Sequence, residues 1–535
     1  TCHLIIFSAF INERCIGLVV YPKLLEGRDD NGQLVLHIHD GLTLILEKSS
    51  VLAKNFQYVS SSATESHTNI LDGGELEKNL YHDTTRASSL IVDRTPEGLQ
   101  VRGILIHRFT IGPLELSSRS ADENIAHEVI EIENSAPPTS HEDADESKET
   151  ADDLQCDTKD FGNRPINPNQ YDEFVVETCV VTTTSYRDAF NTSKDLVEYI
   201  AALTNAVQLR FTSMEDPKIS FQLSELRVVE DDQVLGTQTC HGSKDIEETD
   251  LDTIACGFDA EAALNKSTEY ANGCLSATCD VVYVLISADL TYTVNGTLST
   301  EVQGMTEIGG VCMPENVAIG EDIPKGFTGL ITMAHEIGHL LGSDHDGCPG
   351  ADYCSPENGN LMSYMDRGAR NKSILSDCTK QQISSLVRRL PDSCIYVNGT
   401  ANYRNELYPG ENVSEEDMCK LLYPDKNTSV IKKGLRPCEL VCCWKMPGAS
   451  SPECADNLAA EGQETTETII DDADEEATDY YTDSSEIPIF KHHLMLDGMR
   501  CGPTETCYKG ICGNHSWDEI RRKYGTNRSF DDLFT

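Results

Sequence analysis

The stretch Thr332–Gly347, TMAHEIGHLLGSDHDG, places three histidines and a glutamate between positions 335 and 345 of a chain with only 15 histidines in 535 residues. His335 and His339 are four apart, about 400° around an α-helix, so both imidazoles project from one face. Glu336 stands one position on, beside whatever that pair holds. His345 is six residues beyond His339. On a continuous helix it would sit about 240° round and about 9 Å along, out of reach. The helix must therefore end between them, and Gly342 is placed to end it, because glycine accepts the left-handed conformation that turns a chain back. His335, His339 and His345 then supply three nitrogens and leave a fourth position open, the ligand count of a catalytic rather than a structural zinc. A carboxylate at Glu336 suits a general base for a water activated in that open position. The full pattern, HExxHxxGxxH, is expected by chance roughly once in ten thousand such chains, so an ordinary amphipathic helix is a weak reading.

Other histidines do not share this status. His37 and His39 flank one residue of a predicted strand and read as strand residues. The segment Ala126–Glu131, AHEVIE, has no second histidine, and His492 and His493 are expected in solvent.

The formal charge of −47 argues against a nucleic-acid partner, because phosphate binding needs clustered Lys and Arg. No run of about 18 apolar residues occurs, so no membrane span is expected. The 21 cysteines are unevenly placed, with none between Cys15 and Cys156 and a dense set from Cys179 onward. That density reads as disulfides formed in an oxidising compartment. Asn-x-Ser/Thr sequons at Asn191, Asn265, Asn295, Asn371, Asn398, Asn412, Asn427, Asn514 and Asn527 agree with it. Leu4–Phe10 reads as the apolar core of a signal peptide, with a buried strand as the alternative. A secreted, extracellular, soluble protein is expected.

The organisation follows from shifts in pattern. Residues 1–16 are expected to be a signal segment and 17–140 a β-rich first domain, in which GQLVLHIHDGLTLILEKSS alternates with period two about a turn at Asp40-Gly41. Residues 141–168 open on the acidic run HEDADESKETADD and read as a linker. From 169 to 397 strands and helices alternate: FVVETCVVTT, ISFQLSELRVV and DVVYVLIS as strands, Leu196–Phe211 as a helix. That mixture predicts an α/β fold. Residues 415–513 form a cysteine-rich region interrupted by an acidic insertion at 464–486, and 514–535 are a tail.

The extended histidine motif followed by Asp346, with a methionine downstream in NGNLMSYM, resembles the metzincin metallopeptidases. Asp directly after the third histidine resembles the reprolysin (adamalysin) branch. GGVCMPENVAIGED, ILSDCTKQQISSLV and PDSCI stand in the reprolysin order around it. The first domain looks like the prodomain of tick salivary reprolysin-like metalloproteases, and DGMRCGPTETCYKGIC is similar to the module that follows their catalytic domain. The resemblance implies a catalytic domain built on a mixed, mostly parallel twisted sheet with an active-site helix and a C-terminal subdomain. A β-rich prodomain would precede it and a small disulfide-rich domain follow. Met362 would be the Met-turn residue beneath one catalytic zinc, and Gly309 and Gly310 would lie near the edge strand that pairs with substrate. Glu177, Asp289 and Asn398 would hold a structural calcium. Cys312 would join Cys394, and Cys348 would join Cys378. The implied activity is a zinc endopeptidase acting as a monomer on extracellular protein substrates, by resemblance fibrin, fibrinogen or matrix proteins. The alternative is a catalytically weak scaffold that binds through its cysteine-rich domain; the presence of Glu336 speaks for the enzyme. No RGD tripeptide and no full disintegrin domain follow the catalytic domain, so integrin binding is not supported.

Cysteine counting gives one further expectation. The sets 179–394 and 419–512 are both even, so each can close its own pairs. With Cys2 and Cys15 in the signal region, Cys156 is left over, and a thiolate is a strong zinc ligand. Cys156 is therefore a candidate cysteine switch. An exposed thiol, or a partner for Cys15, is the alternative.

Overall fold

The segment Glu173–Thr183 carries a long run of buried side chains, and such a run fits a strand covered on both faces. Val281–Ile286 is buried at every position for the same reason. Both are central strands of the segment 169–397. The computed structural model describes residues 17–25, 34–39, 41–61, 66–114, 124–132, 164–169, 171–242, 254–275, 279–294, 297–299, 302–365, 367–368, 370–397, 414–423, 426–431, 437–444, 489–495, 498–508 and 511–517. The expected signal segment, nearly all of the linker with Cys156, Asn398, and the acidic insertion lie outside the described residues.

Two compact units emerge, one of residues 48–119 with 125–404, the other of 1–47, 120–124 and 405–535. In the first unit the strands are β1 (Leu52–Ser61), β2 (Ser66–Asp72), β3 (Leu80–Asp83), β4 (Ser88–Thr95), β5 (Gly98–Leu105), β6 (Phe109–Pro113) and β7 (His127–Glu131). There follow β8 (Glu173–Thr183), helix α1 (Ser193–Arg210), β9 (Lys218–Val229), α2 (Ala260–Cys274) and β10 (Val281–Ile286). The rest of the framework is β11 (Gly304–Thr306), β12 (Val317–Glu321), α3 (Leu330–Leu340) and α4 (Asp377–Val387).

The main sheet runs β11-β12-β10-β8-β9-β1-β2. Strands β12, β10, β8, β9 and β1 are mutually parallel, while β11 and β2 run antiparallel at the two ends. The expected mixed, mostly parallel sheet is therefore present. It contains a pair the sequence reading did not place: β1 and β2 come from the region read as a separate first domain. Strands β3 to β7 form an antiparallel meander in the same unit.

Helix α1 starts at a capping box in which Thr192 and Asp195 satisfy each other's backbone N–H groups. Its residues Leu196 to Val207 are all buried, so it has no free outer face. One apolar cluster covers it, joining Leu196, Leu203 and Val207 to Leu80, Ile91 and Ile104 of the N-terminal strands.

In the second unit, Leu34–His39 and Leu42–Lys48 form the expected hairpin about Gly41, whose φ of 105° suits glycine. Helix Glu415–Leu422 and an antiparallel sheet of Ser429–Ile431, Glu439–Trp444 and Ile489–Leu494 make the cysteine-rich part. Trp444 pairs with Ile489 at the end of this sheet's last ladder. Disulfides Cys419–Cys442, Cys438–Cys507 and Cys501–Cys512 hold this small core. His493, expected in solvent, is half-buried with Nε2 2.9 Å from the Tyr423 hydroxyl, because its strand pairs inside this sheet.

Candidate active site

Helix α3 carries the motif, and its N-terminus is fixed by a buried carboxylate. Asp322 accepts from Gly329 N at 2.8 Å, from the Tyr186 hydroxyl at 2.5 Å and from the Tyr199 hydroxyl at 2.7 Å. A side chain at Gly329 would collide with Glu321 O at 2.4 Å, so only glycine admits this approach. The helix ends where the sequence places the stop. Gly342 has φ +99°, its N donates to His339 O at 2.8 Å, and Ser343 N donates to Gly338 O at 3.0 Å. The chain then turns back and brings His345 to the other two histidines.

The three Nε2 atoms lie 3.1 Å (His335 to His339), 3.2 Å (His335 to His345) and 3.2 Å (His339 to His345) apart. Nδ1 of His335 is 2.8 Å from Leu361 O, and Nδ1 of His339 is 2.7 Å from Ser343 O. A carbonyl oxygen only accepts, so each Nδ1 carries the proton and each Nε2 presents a lone pair inward. Burial, then the neighbouring imidazoles, push His335 well below its ordinary value and His339 down to about 3. The rings are therefore neutral at pH 7. Nitrogens bound to one tetrahedral zinc at about 2.0–2.1 Å lie about 3.3 Å apart, so this donor set fits zinc.

Glu336 is 7 % exposed, and burial pushes it up to about 8. A dication beside it acts in the opposite direction. The edge strand β11 passes close over it: a Cβ on Gly304 would lie 2.9 Å from Glu336 Oε1. Gly309 and Gly310 are not on that strand. They clamp the far end of α3, with Gly309 N donating to His339 O at 2.8 Å and Val311 N to Leu340 O at 3.1 Å.

Met362 is fully buried beneath the helix, and a Cβ on Gly338 would lie 2.6 Å from its sulfur. Gly338 costs helix stability, about 1 kcal/mol relative to alanine, yet the fit requires it. The sequence reading passed over it; a glycine between two ligands on one helix was the available signal. Asp346 is also fully buried. Its N donates to Met362 O at 3.0 Å and its Oδ1 accepts from Ser376 at 2.5 Å, tying the motif to the methionine turn and to the start of α4.

The calcium expectation needs a correction. Asp289 does not meet Glu177; it lies past the end of β10, with its carbonyl accepting from Phe258 N at 2.9 Å. The acid beside Glu177 is Asp280, at the start of β10, whose Oδ2 accepts from Glu177 N at 2.8 Å. Both are buried, and burial raises Asp280 to about 7, with the Glu177 charge adding to the rise. Sequence context chose the wrong end of the strand because β10 is flanked by an acid on each side.

Disulfides require a second correction. Cys312 joins Cys394, but Cys378 joins Cys354, not Cys348. Cys179–Cys279 and Cys240–Cys256 complete the described pairs here. Cys348 is disulfide-bonded all the same, so its partner is another cysteine.

Three convergent imidazoles on a helix and its returning turn, with a buried carboxylate beside them and an open sheet edge above, define a zinc metallopeptidase. Residues 173–385 match the family model Reprolysin_5, metallo-peptidase family M12. This segment is accordingly a metalloendopeptidase domain of family M12, of the reprolysin type. Among similar proteins, venom metalloproteinase antarease TserMP_A of Tityus serrulatus is 24 % identical over 349 residues, 61 % of this chain and 82 % of that one. Venom metalloproteinase BumaMPs1 of Olivierus martensii is 26 % identical over 392 residues, 70 % of this chain and 92 % of that one. Human "a disintegrin and metalloproteinase with thrombospondin motifs 13" is 27 % identical over 220 residues, 40 % of this chain and 13 % of that one. No helix among the described residues is long and apolar enough to cross a membrane.

Proposed function

We propose that this protein is a secreted zinc endopeptidase that cuts extracellular proteins. The observation that carries the reading is the convergence of three Nε2 atoms within 3.2 Å of one another beside Glu336. Bound zinc supplies a water of lowered pKa and polarises the scissile carbonyl. Glu336 accepts the water's proton on a carboxylate oxygen and returns it to the leaving amine nitrogen. The β11 edge takes an extended substrate by strand addition. Fibrin, fibrinogen or matrix proteins are proposed as substrates on the sequence resemblance alone, and the venom relatives are in keeping with secretion.

The test is digestion of a peptide library with and without a chelator, beside the Glu336→Gln variant. The variant should lose activity by roughly 10³-fold, within the range for a general base, and keep its zinc by metal analysis. Loss of zinc in step with activity would make Glu336 a ligand and end this assignment. Glu177 and Asp280 are proposed as carboxylate ligands of a structural calcium. Latency is proposed to involve Cys156: a Cys156→Ala precursor should cleave peptide before any processing, and a silent one would make the thiol incidental.

A further inference from the structure

Strand β10 buries a polar group that the fold leaves unpaired. Tyr283 is fully buried, and its hydroxyl has no hydrogen-bond partner among the described residues. A phenylalanine ring would fill the same space without the penalty of a buried, unpaired hydroxyl. The fold nevertheless makes room for that oxygen. A Cβ on Gly320 of β12 would lie 2.0 Å from it, so glycine is required there. Gly320 stands opposite Gly304 of β11 in the antiparallel ladder. A Cβ on Gly304 would in turn lie 2.9 Å from Glu336 Oε1. The methyl of Thr332, one turn before Glu336 on α3, packs on both glycines, 2.6 Å from the Cβ position of Gly304 and 3.2 Å from that of Gly320. Residues opposite each other in a ladder present one face. The phenol and the carboxylate therefore approach the same bare pair of backbone positions from the same side.

The neighbouring acids narrow the choice of acceptor. Asp322 already accepts from Tyr186, Tyr199 and Gly329 N. Glu321 Oε1 accepts from Leu290 N at 2.5 Å. Glu336 accepts no hydrogen bond among the described residues. Burial, then the Glu336 charge, push the Tyr283 hydroxyl well above its ordinary value, so it keeps the proton it would donate. We propose that Tyr283 is a positioning residue for the reaction: in the working enzyme its hydroxyl donates to the Glu336 carboxylate, directly or through one water, and fixes the rotamer in which Glu336 takes up a proton. Tyr283 touches no substrate and acts through Glu336 alone. The inference rests on the reading of Glu336 as the general base.

The experiment measures kcat and KM on one peptide from the library digest, together with zinc content, for the active wild type, Tyr283→Phe, Glu336→Gln and the double variant. Tyr283→Phe should keep its zinc and lose about 10-fold in kcat, the scale of an outer partner in a metal site, with KM within about 2-fold of wild type. In the Glu336→Gln background the same change should cost less than about 2-fold, because the group it positions is gone. An unchanged kcat, a loss that falls on KM, a loss of zinc, or an equal loss in both backgrounds overturns the inference and leaves the role of Glu336 standing. Full activity of Glu336→Gln would instead remove the general-base reading, and this inference with it.

Discussion

The three histidines and the acids Glu177 and Asp280 are two buried groups of the peptidase segment, and burial acts on them in opposite directions. In the histidine cluster it lowers His335 and His339, so their inward nitrogens carry no proton at neutral pH. In the carboxylate pair it raises Asp280 to about 7, so this acid keeps its proton until the pH climbs or a cation arrives. The first cluster can take a dication with no proton to displace. The second must lose one. The same desolvation thus prepares one site and restrains the other, and the difference lies in which form of each side chain is charged.

The largest expected effect is on the first cluster. His345→Ala should weaken zinc binding by at least about 100-fold, since even outer partners of zinc ligands are worth roughly 10–100-fold. Competition with a chelator measures it, and Asp280→Asn should leave zinc affinity unchanged. Full retention of zinc by the His345 variant would mean that the turn at Gly342 does not deliver a ligand.

A middle effect tests the support beneath that cluster. Gly338→Ala places a methyl 2.6 Å from the Met362 sulfur. Overpacking of this kind costs about 1–3 kcal/mol, which thermal unfolding would detect. A gain in stability, as expected from helix propensity alone, would show that Met362 yields freely.

The smallest effect sharpens the second cluster. Asp280 has an ordinary value of 3.8 and a folded value of about 7, so the folded state holds the proton more tightly. Its contribution to stability is full below about pH 4 and is lost as the pH rises through about 7. Calcium held by the ionised pair would offset that loss. Added calcium should therefore stabilise the fold more at pH 8 than at pH 5, by on the order of 1 kcal/mol in thermal unfolding, and Asp280→Asn should abolish the difference. Equal shifts at both pH values would remove the calcium assignment.

What the sequence determined was local. The three ligands and Glu336 fall between positions 335 and 345, and a helical period with one glycine turn fixes their convergence without reference to the rest of the chain. The buried strands and the α1 helix were legible for the same reason, as patterns contained within their own length. What only the tertiary structure decided was pairing between distant segments. An even count of cysteines could not choose Cys354 over Cys348 for Cys378. Strand patterning could not say whether Asp280 or Asp289 meets Glu177, because that depends on how β10 registers against β8. Nor could alternation in Leu52–Ser61 show that this strand joins the peptidase sheet instead of a domain of its own. A strand's hydrogen-bonding edge is backbone, common to every sequence, so its partner is selected by the packing of the whole fold.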